Sequence, residues 1–180
     1  DYINKSVVVH GSPVVDFTVK NVCENAIASF KDNSTFPRST PLKSWFWDFG
    51  DGISSPVKNP THRYDSSRIF KLKLTVKTAF CKSIDSFNLE VKPKPKALFQ
   101  MNDSVGCSPI PITFKNNSIV STKYFWDFGN GDTSIATAPT YRFLNSTAAT
   151  VGYNVALIAS TAFGCSDTIT DSVYVYHVPK

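Results

Sequence analysis

No stretch of this chain stays apolar for the 18 or more residues that a helical membrane span requires, so no direct membrane insertion is expected. Methionine occurs once and histidine three times in 180 residues. By sequence, His10, His62 and His177 fall in a terminal strand, a turn and a linker. None stands beside a nucleophile with a third orienting group. Gly-x-Ser-x-Gly, the phosphate-binding loop and His-Glu-x-x-His do not occur. The expectation is a protein that is not an enzyme. Runs rich in Ala, Leu and Glu, the strong helix formers, are scarce, and the 11 prolines work against helix as well. No aromatic-basic RNA motif or recognition helix can be read, so no nucleic-acid partner is expected.

What the chain does have is a repeat, and repeats outrank other signals because missing one misreads the whole fold. Trp47-Asp48-Phe49-Gly50-Asp51-Gly52 returns 79 residues later as Trp126-Asp127-Phe128-Gly129-Asn130-Gly131. Each copy closes an alternating aromatic run and enters a Gly/Asp-rich turn, the pattern of a strand followed by a tight turn. Asn59-Pro60-Thr61-His62-Arg63-Tyr64 answers Ala138-Pro139-Thr140-Tyr141-Arg142-Phe143. Phe30-Lys31-Asp32-Asn33-Ser34 answers Phe114-Lys115-Asn116-Asn117-Ser118. Within each copy the longest strands alternate, as in Phe70-Lys71-Leu72-Lys73-Leu74-Thr75-Val76-Lys77. Phe70, Leu72, Leu74 and Val76 are expected inside, and Lys71, Lys73 and Lys77 outside. By the same alternation Trp45, Trp47 and Phe49 are assigned to the core, while Phe46, and its counterpart Phe125, face outward.

These motifs, in this order, resemble the PKD (polycystic kidney disease) domain family over nearly all of the chain. The resemblance implies an all-β fold of two tandem immunoglobulin-like sandwiches. The expected divisions are a terminal strand of a preceding repeat at residues 1–12, a first domain at 13–94 and a second at 95–180. Residues 1–12 are assigned by likeness, since Asp1 to Pro13 repeats the pattern of Asp85 to Pro95 and of Asp171 to Pro179. On that reading the chain is a piece of a longer array. Lys92-Pro93-Lys94-Pro95-Lys96 reads as an extended, stiff linker. Cys placement resembles PKD repeats in large surface proteins of gliding or type IX-secreting bacteria, which implies a cell-surface or secreted setting and a role in adhesion or gliding motility.

Cys23 and Cys81 are 58 positions apart, as are Cys107 and Cys165. Equal spacing, one pair per repeat, argues for a disulfide within each domain and hence for an oxidising compartment. Neither pair has zinc-ligand spacing. Asp48 and Asp51, with Asp127 and Asp132 in the second copy, are read as turn caps. The family resemblance allows calcium there, but the motif lacks the many-oxygen spacing of a calcium loop, and Asn130 replaces one carboxylate. No cofactor and no metal are expected.

Charge is uneven: 13 Lys and Arg against 8 Asp and Glu over residues 14–95, but 5 against 5 over residues 96–180. Phe46, Phe125, Lys71, Lys73 and Lys77 are therefore the candidate ligand-binding residues. An outward aromatic among polar neighbours can stack on a sugar ring or anchor a protein. Expected partners are neighbouring repeats of the same chain, surface glycans or other cell-surface proteins, with the chain itself a monomer. The reading is of a rigid spacer and interaction module, or else of a binding accessory of a secreted hydrolase. Sequons at Asn33, Asn102, Asn116 and Asn145 mark expected surface turns.

Overall fold

A computed structural model of the chain describes residues 9–20, 22–37 and 42–177. Among these residues there is no helix. The chain divides into two compact units, residues 1–92 and 93–180.

In the first unit, β1 (Phe17–Lys20), β2 (Ile27–Asp32) and β5 (Thr61–Arg63) form one sheet in the order β1-β2-β5. The other sheet holds β3 (Leu42–Asp48), β4 (Ser54–Ser55), β6 (Ile69–Thr78) and β7 (Lys82–Glu90), in the order β4-β3-β6-β7. The second unit repeats the plan. Its smaller sheet runs β13-β10-β8, from β8 (Phe99–Met101), β10 (Ile110–Asn116) and β13 (Thr140–Phe143). Its larger sheet runs β12-β11-β14-β15-β9, from β9 (Val105–Cys107), β11 (Lys123–Asp127), β12 (Thr133–Ser134), β14 (Val151–Ser160) and β15 (Ser166–Tyr176). Among the described residues the strand pairs are antiparallel except β15 with β9, which is parallel. Two facing sheets with one core between them make each unit a β-sandwich.

Alternation explains the sheets. Along β6 every second residue is buried, and Phe70, Leu72, Leu74 and Val76 are sealed from solvent. Burying each such side chain contributes about 1.5–3 kcal/mol before chain entropy is subtracted. Trp47 and Trp126 are wholly buried, each at the centre of its unit's aromatic core. Phe17 and Phe30 meet the Trp47 ring edge-on, as Phe99 meets Trp126. Trp45 departs from expectation. It is only partly buried, because its indole N–H donates to Asp32 Oδ2 (2.7 Å) at the sandwich margin and the Lys58 ammonium lies 5.4 Å from its ring.

The expected disulfides, Cys23–Cys81 and Cys107–Cys165, are not formed. Cys81 and Cys107 are free thiols, whereas Cys23 and Cys165 are disulfide-bonded. Strand geometry gives the reason. Cys23 bridges Lys92, just past the end of β7, while Cys81 stands just before β7 begins. The nine residues of β7 separate them by about 30 Å at about 3.3 Å per residue. A disulfide needs Cα atoms within about 7 Å. Cys107 likewise pairs with Tyr176 at the far end of β15, and Cys165 directly precedes its start. The common spacing of 58 reports the repeat, not a bond.

The linker is shorter than its sequence suggests. Lys92 is held by the first unit, its amide donating to Val22 O at 2.9 Å. In the second unit Lys94 pairs with Asp167 at 2.8 Å, and Lys96 exchanges both backbone bonds with Ile119. Of the terminal-strand assignment, residues 1–8 lie outside the described residues; His10 stacks on Phe80 with ring centroids 3.7 Å apart. Asn145 corrects the sequon reading. It is buried, with its amide donating to Ala149 O and Val175 O, so it ties the segment that follows it to β15 from inside.

Candidate binding face and motif turns

The repeated hexapeptide builds the same turn twice. Asp48 Oδ1 accepts from Gly50 N (3.0 Å) and Asp51 Oδ1 from Ile53 N (3.0 Å). Asp127 Oδ1 accepts from Gly129 N (2.8 Å) and Asn130 Oδ1 from Asp132 N (3.1 Å). Side-chain oxygens thus satisfy the turn amides. Gly50 has φ +80°, and a Cβ there would lie 2.7 Å from Lys71 O. Gly129 has φ +77°, and a Cβ there would lie 2.6 Å from Asn154 O. Both the backbone conformation and the closeness of the neighbouring strand require glycine. Each tryptophan is anchored across the turn, Trp47 Nε1 donating to Lys58 O (3.3 Å) and Trp126 Nε1 to Ala136 O (2.9 Å).

The second oxygen of each turn carboxylate is used differently in the two units. In the first, Asp51 Oδ2 meets His62 Nε2 at 2.6 Å, and the imidazole stacks flat on Phe49 at 4.1 Å. In the second, Tyr141 takes the histidine's place, stacks on Phe128 at 4.1 Å, donates its hydroxyl to Asp132, and accepts from Asn130 Nδ2 at 2.7 Å. Burial first, and then the Asp132 hydrogen bond, hold the Tyr141 hydroxyl above its ordinary pKa. Tyr64, whose hydroxyl donates to Phe49 O (3.2 Å), is also raised, by burial and then by Asp51 and Asp48. The motif carboxylates are thus engaged by backbone amides and ring partners. Among the described residues no group of three or more His, Cys, Asp or Glu is gathered that could hold a metal ion.

The outward face of the β3–β6–β7 sheet is the place where the candidate ligand-binding residues meet. Phe46 is 47% exposed and lies opposite Thr75, which lies opposite Ile84. On one side of this row stand Ser44, Lys77 and Lys82, and on the other Asp48, Lys73 and Ser86. Lys71 comes next, opposite Asn88. Ser44, Trp45, Phe46, Thr75, Lys77 and Lys82 line a cleft of about 350 Å³. Lys73 is partly neutralised by Asp48, 3.4 Å away. Lys82 was not singled out in the sequence; its signal was the hairpin register, which sets it opposite Lys77. Phe125, 41% exposed, occupies the same row in the second unit, opposite Ile158 and then Thr168. Its neighbouring rows carry Lys123, Ser160 and Ser166, and Asp127, Ala156 and Thr170. The structure therefore surrounds Phe46 with lysines and leaves Phe125 on a nearly neutral face.

Residues 10–86 match the family model described as PKD domain, a stretch that lies within the first unit. A 74-residue segment is 34% identical to part of a protein named microbial collagenase from Vibrio alginolyticus; it takes in 40% of this chain and 9% of that relative. The chain thus spans about a tenth of that relative's length. Among solved structures, the PKD1 domain from Vibrio cholerae metalloprotease PrtV is similar at 29% identity and a TM-score of 0.38, over 46% of this chain and 98% of that one. The PKD1 domain of Vibrio anguillarum Epp is similar at 25% identity and a TM-score of 0.38, over 47% and 96%.

Proposed function

We propose that this chain is a non-catalytic spacer and interaction segment of a secreted or cell-surface protein, of the adhesin and gliding-motility type, and that its first unit grips anionic polysaccharide. The observation that carries the reading is the exposed Phe46 at the centre of a sheet face bearing Lys71, Lys73, Lys77 and Lys82. A flat aromatic offers its face to a sugar ring, and lysines two apart on one strand offer a row of cations to a chain of carboxylates or sulfates. An oxidising compartment accords with the disulfide-bonded Cys23 and Cys165. Binding of the whole chain to polygalacturonate, measured by affinity electrophoresis, tests the reading. Retardation is expected to fall sharply for Phe46→Ala and for Lys71→Glu/Lys77→Glu, and to persist for Phe125→Ala. Equal retardation of the wild type and the Phe46 and lysine variants would overturn it.

A second reading is supported by the similarity to a segment of the Vibrio alginolyticus protein named microbial collagenase. There the unit would serve as a binding accessory beside a hydrolase domain of the same polypeptide. Sequencing the parent transcript decides between them: a hydrolase domain in the same reading frame favours the accessory role, and further repeats alone favour the spacer.

A further inference from the structure

The outward lysines of β6 do not meet equal neighbours. Lys73 stands between Asp48 and Ser86, and the Asp48 carboxylate lies 3.4 Å from its ammonium. Lys77 stands between Ser44 and Lys82, all three of them exposed. Like charges directly opposite across a hairpin repel, at a cost of up to about 1 kcal/mol. Among the described residues no carboxylate pairs with Lys77 or Lys82. The fold itself does not call for this juxtaposition, since the corresponding row of the second unit is Lys123, Ser160 and Ser166.

The unmatched pair belongs to the cleft. Ser44, Phe46, Thr75, Lys77 and Lys82 line it, whereas Lys71 and Lys73 do not. The row next to the lysine pair is Phe46, Thr75 and Ile84, in which Phe46 and Ile84 are exposed and apolar. Neighbouring rows on one face lie about 7 Å apart, two residues along a strand. A lysine's flexible stem closes that separation, so an acid group on a ring that covers Phe46 comes within reach of both ammoniums. On the other side of Phe46 the Asp48 carboxylate repels an acid group and already occupies Lys73.

We infer that the first unit recognises a single sugar-acid residue, with its ring on Phe46 and its acid group held between Lys77 and Lys82. This rests on the reading of the Phe46 face as a grip for anionic polysaccharide, and it fixes the end of that face at which charge is read. One acidic residue of the polymer is then enough for binding. A neutral sugar is not, because it leaves the two ammoniums unmatched. An anion between them also removes their repulsion, so the ligand stabilises the unit it binds.

The test titrates the whole chain with monomeric galacturonate and follows backbone amide shifts by NMR, with galactose as the neutral control and polygalacturonate retardation measured alongside. Galacturonate is expected to shift the amides around Phe46, Lys77 and Lys82, and galactose to leave them in place. Lys82→Ala is expected to weaken galacturonate about tenfold, through loss of a charge-assisted bond, and Lys71→Ala only about twofold. Lys82→Glu separates a ligand role from a structural one. It sets opposite charges across the hairpin, so the first unit is expected to be no less stable to heat, yet to lose galacturonate. Suppose polygalacturonate retards the chain, but Lys82→Ala or Lys82→Glu binds galacturonate as the wild type does, galactose shifts the same amides equally, or the shifts gather at Lys71 and Lys73. Any of these would overturn this inference and leave the polysaccharide reading standing. Binding of neither ligand would overturn both.

Discussion

The two units share what holds a sandwich together and differ in what it shows to solvent. Both bury a tryptophan completely, both cap the following turn with side-chain oxygens, and both press a glycine against the neighbouring long strand. The lock beneath the turn differs, His62 on Asp51 in one and Tyr141 between Asp132 and Asn130 in the other. So does the outer sheet face, basic around Phe46 and close to neutral around Phe125. The buried tryptophans and the glycines pressed on the long strands are repeated, whereas the outer sheet face has diverged, and function is therefore to be sought on that face.

The largest expected effect tests the shared part. Gly50→Ala and Gly129→Ala each add a Cβ within 3 Å of a backbone oxygen at positive φ, for a loss of about 3 kcal/mol from clash and backbone strain together. Gly52→Ala and Gly131→Ala share the positive φ but meet nothing within 4 Å, so about 1 kcal/mol is expected. Amide exchange read separately for each unit should give the same ranking in both. A Gly50→Ala variant as stable as Gly52→Ala would break the equivalence of the turns.

The second test exchanges the lock. Asn130→Asp gives the second unit the carboxylate that the first has in Asp51, but leaves Tyr141 in place. The tyrosine hydroxyl accepts from Asn130 Nδ2 and donates to Asp132; with Asp at 130 two acceptors face one proton. A loss of about 1–2 kcal/mol is expected, since a polar partner is left unpaired. Adding Tyr141→His, which recreates the first unit's pair, should recover most of it. A double variant no more stable than Asn130→Asp would separate the two locks into unrelated devices.

How far the sequence could be read follows from which physical signals are local. Alternation along Phe70 to Lys77 identified the inner and outer faces, because period two is written in consecutive residues. The hexapeptide identified the buried indoles for the same reason. Trp45, in the middle of β3, departs from the rule because alternation names a face and not a depth: it packs against the core only partly buried, with its N–H on Asp32. The cysteine pairing failed for a nonlocal reason. Spacing along the chain does not say at which end of a strand a residue sits, and nine residues of β7 stand between the places of Cys23 and Cys81. Lys82 and the His62–Asp51 pair needed register and turn geometry, which only the folded chain supplies. Asn145 looked exposed as a sequon, but its amide satisfies two carbonyls inside the second unit.

The smallest expected effect sharpens the comparison at the start of the second unit. Asp167 pairs with Lys94 at 2.8 Å and accepts from Ala97 N at 3.0 Å, while the first unit has Ser12 and Ser83 at the matching places. The Lys94 hydrogen bond, aided by the Ala97 and Thr168 amides and opposed by partial burial, holds the Asp167 carboxyl below its ordinary value of 3.8. A carboxyl depressed in the folded state stabilises fully above its unfolded pKa, and that contribution is lost as pH falls through the folded value. Both side chains are partly exposed, so the contribution is below about 1 kcal/mol and weakens with salt. Asp167→Asn should therefore destabilise the second unit slightly at neutral pH, with the gap to wild type closing once the pH is well below 3.8. The first unit should show no change at either pH. A gap that stays constant down to the acid limit would mean that Asp167 acts through shape and the Ala97 bond alone, and that the two units begin alike in their electrostatics.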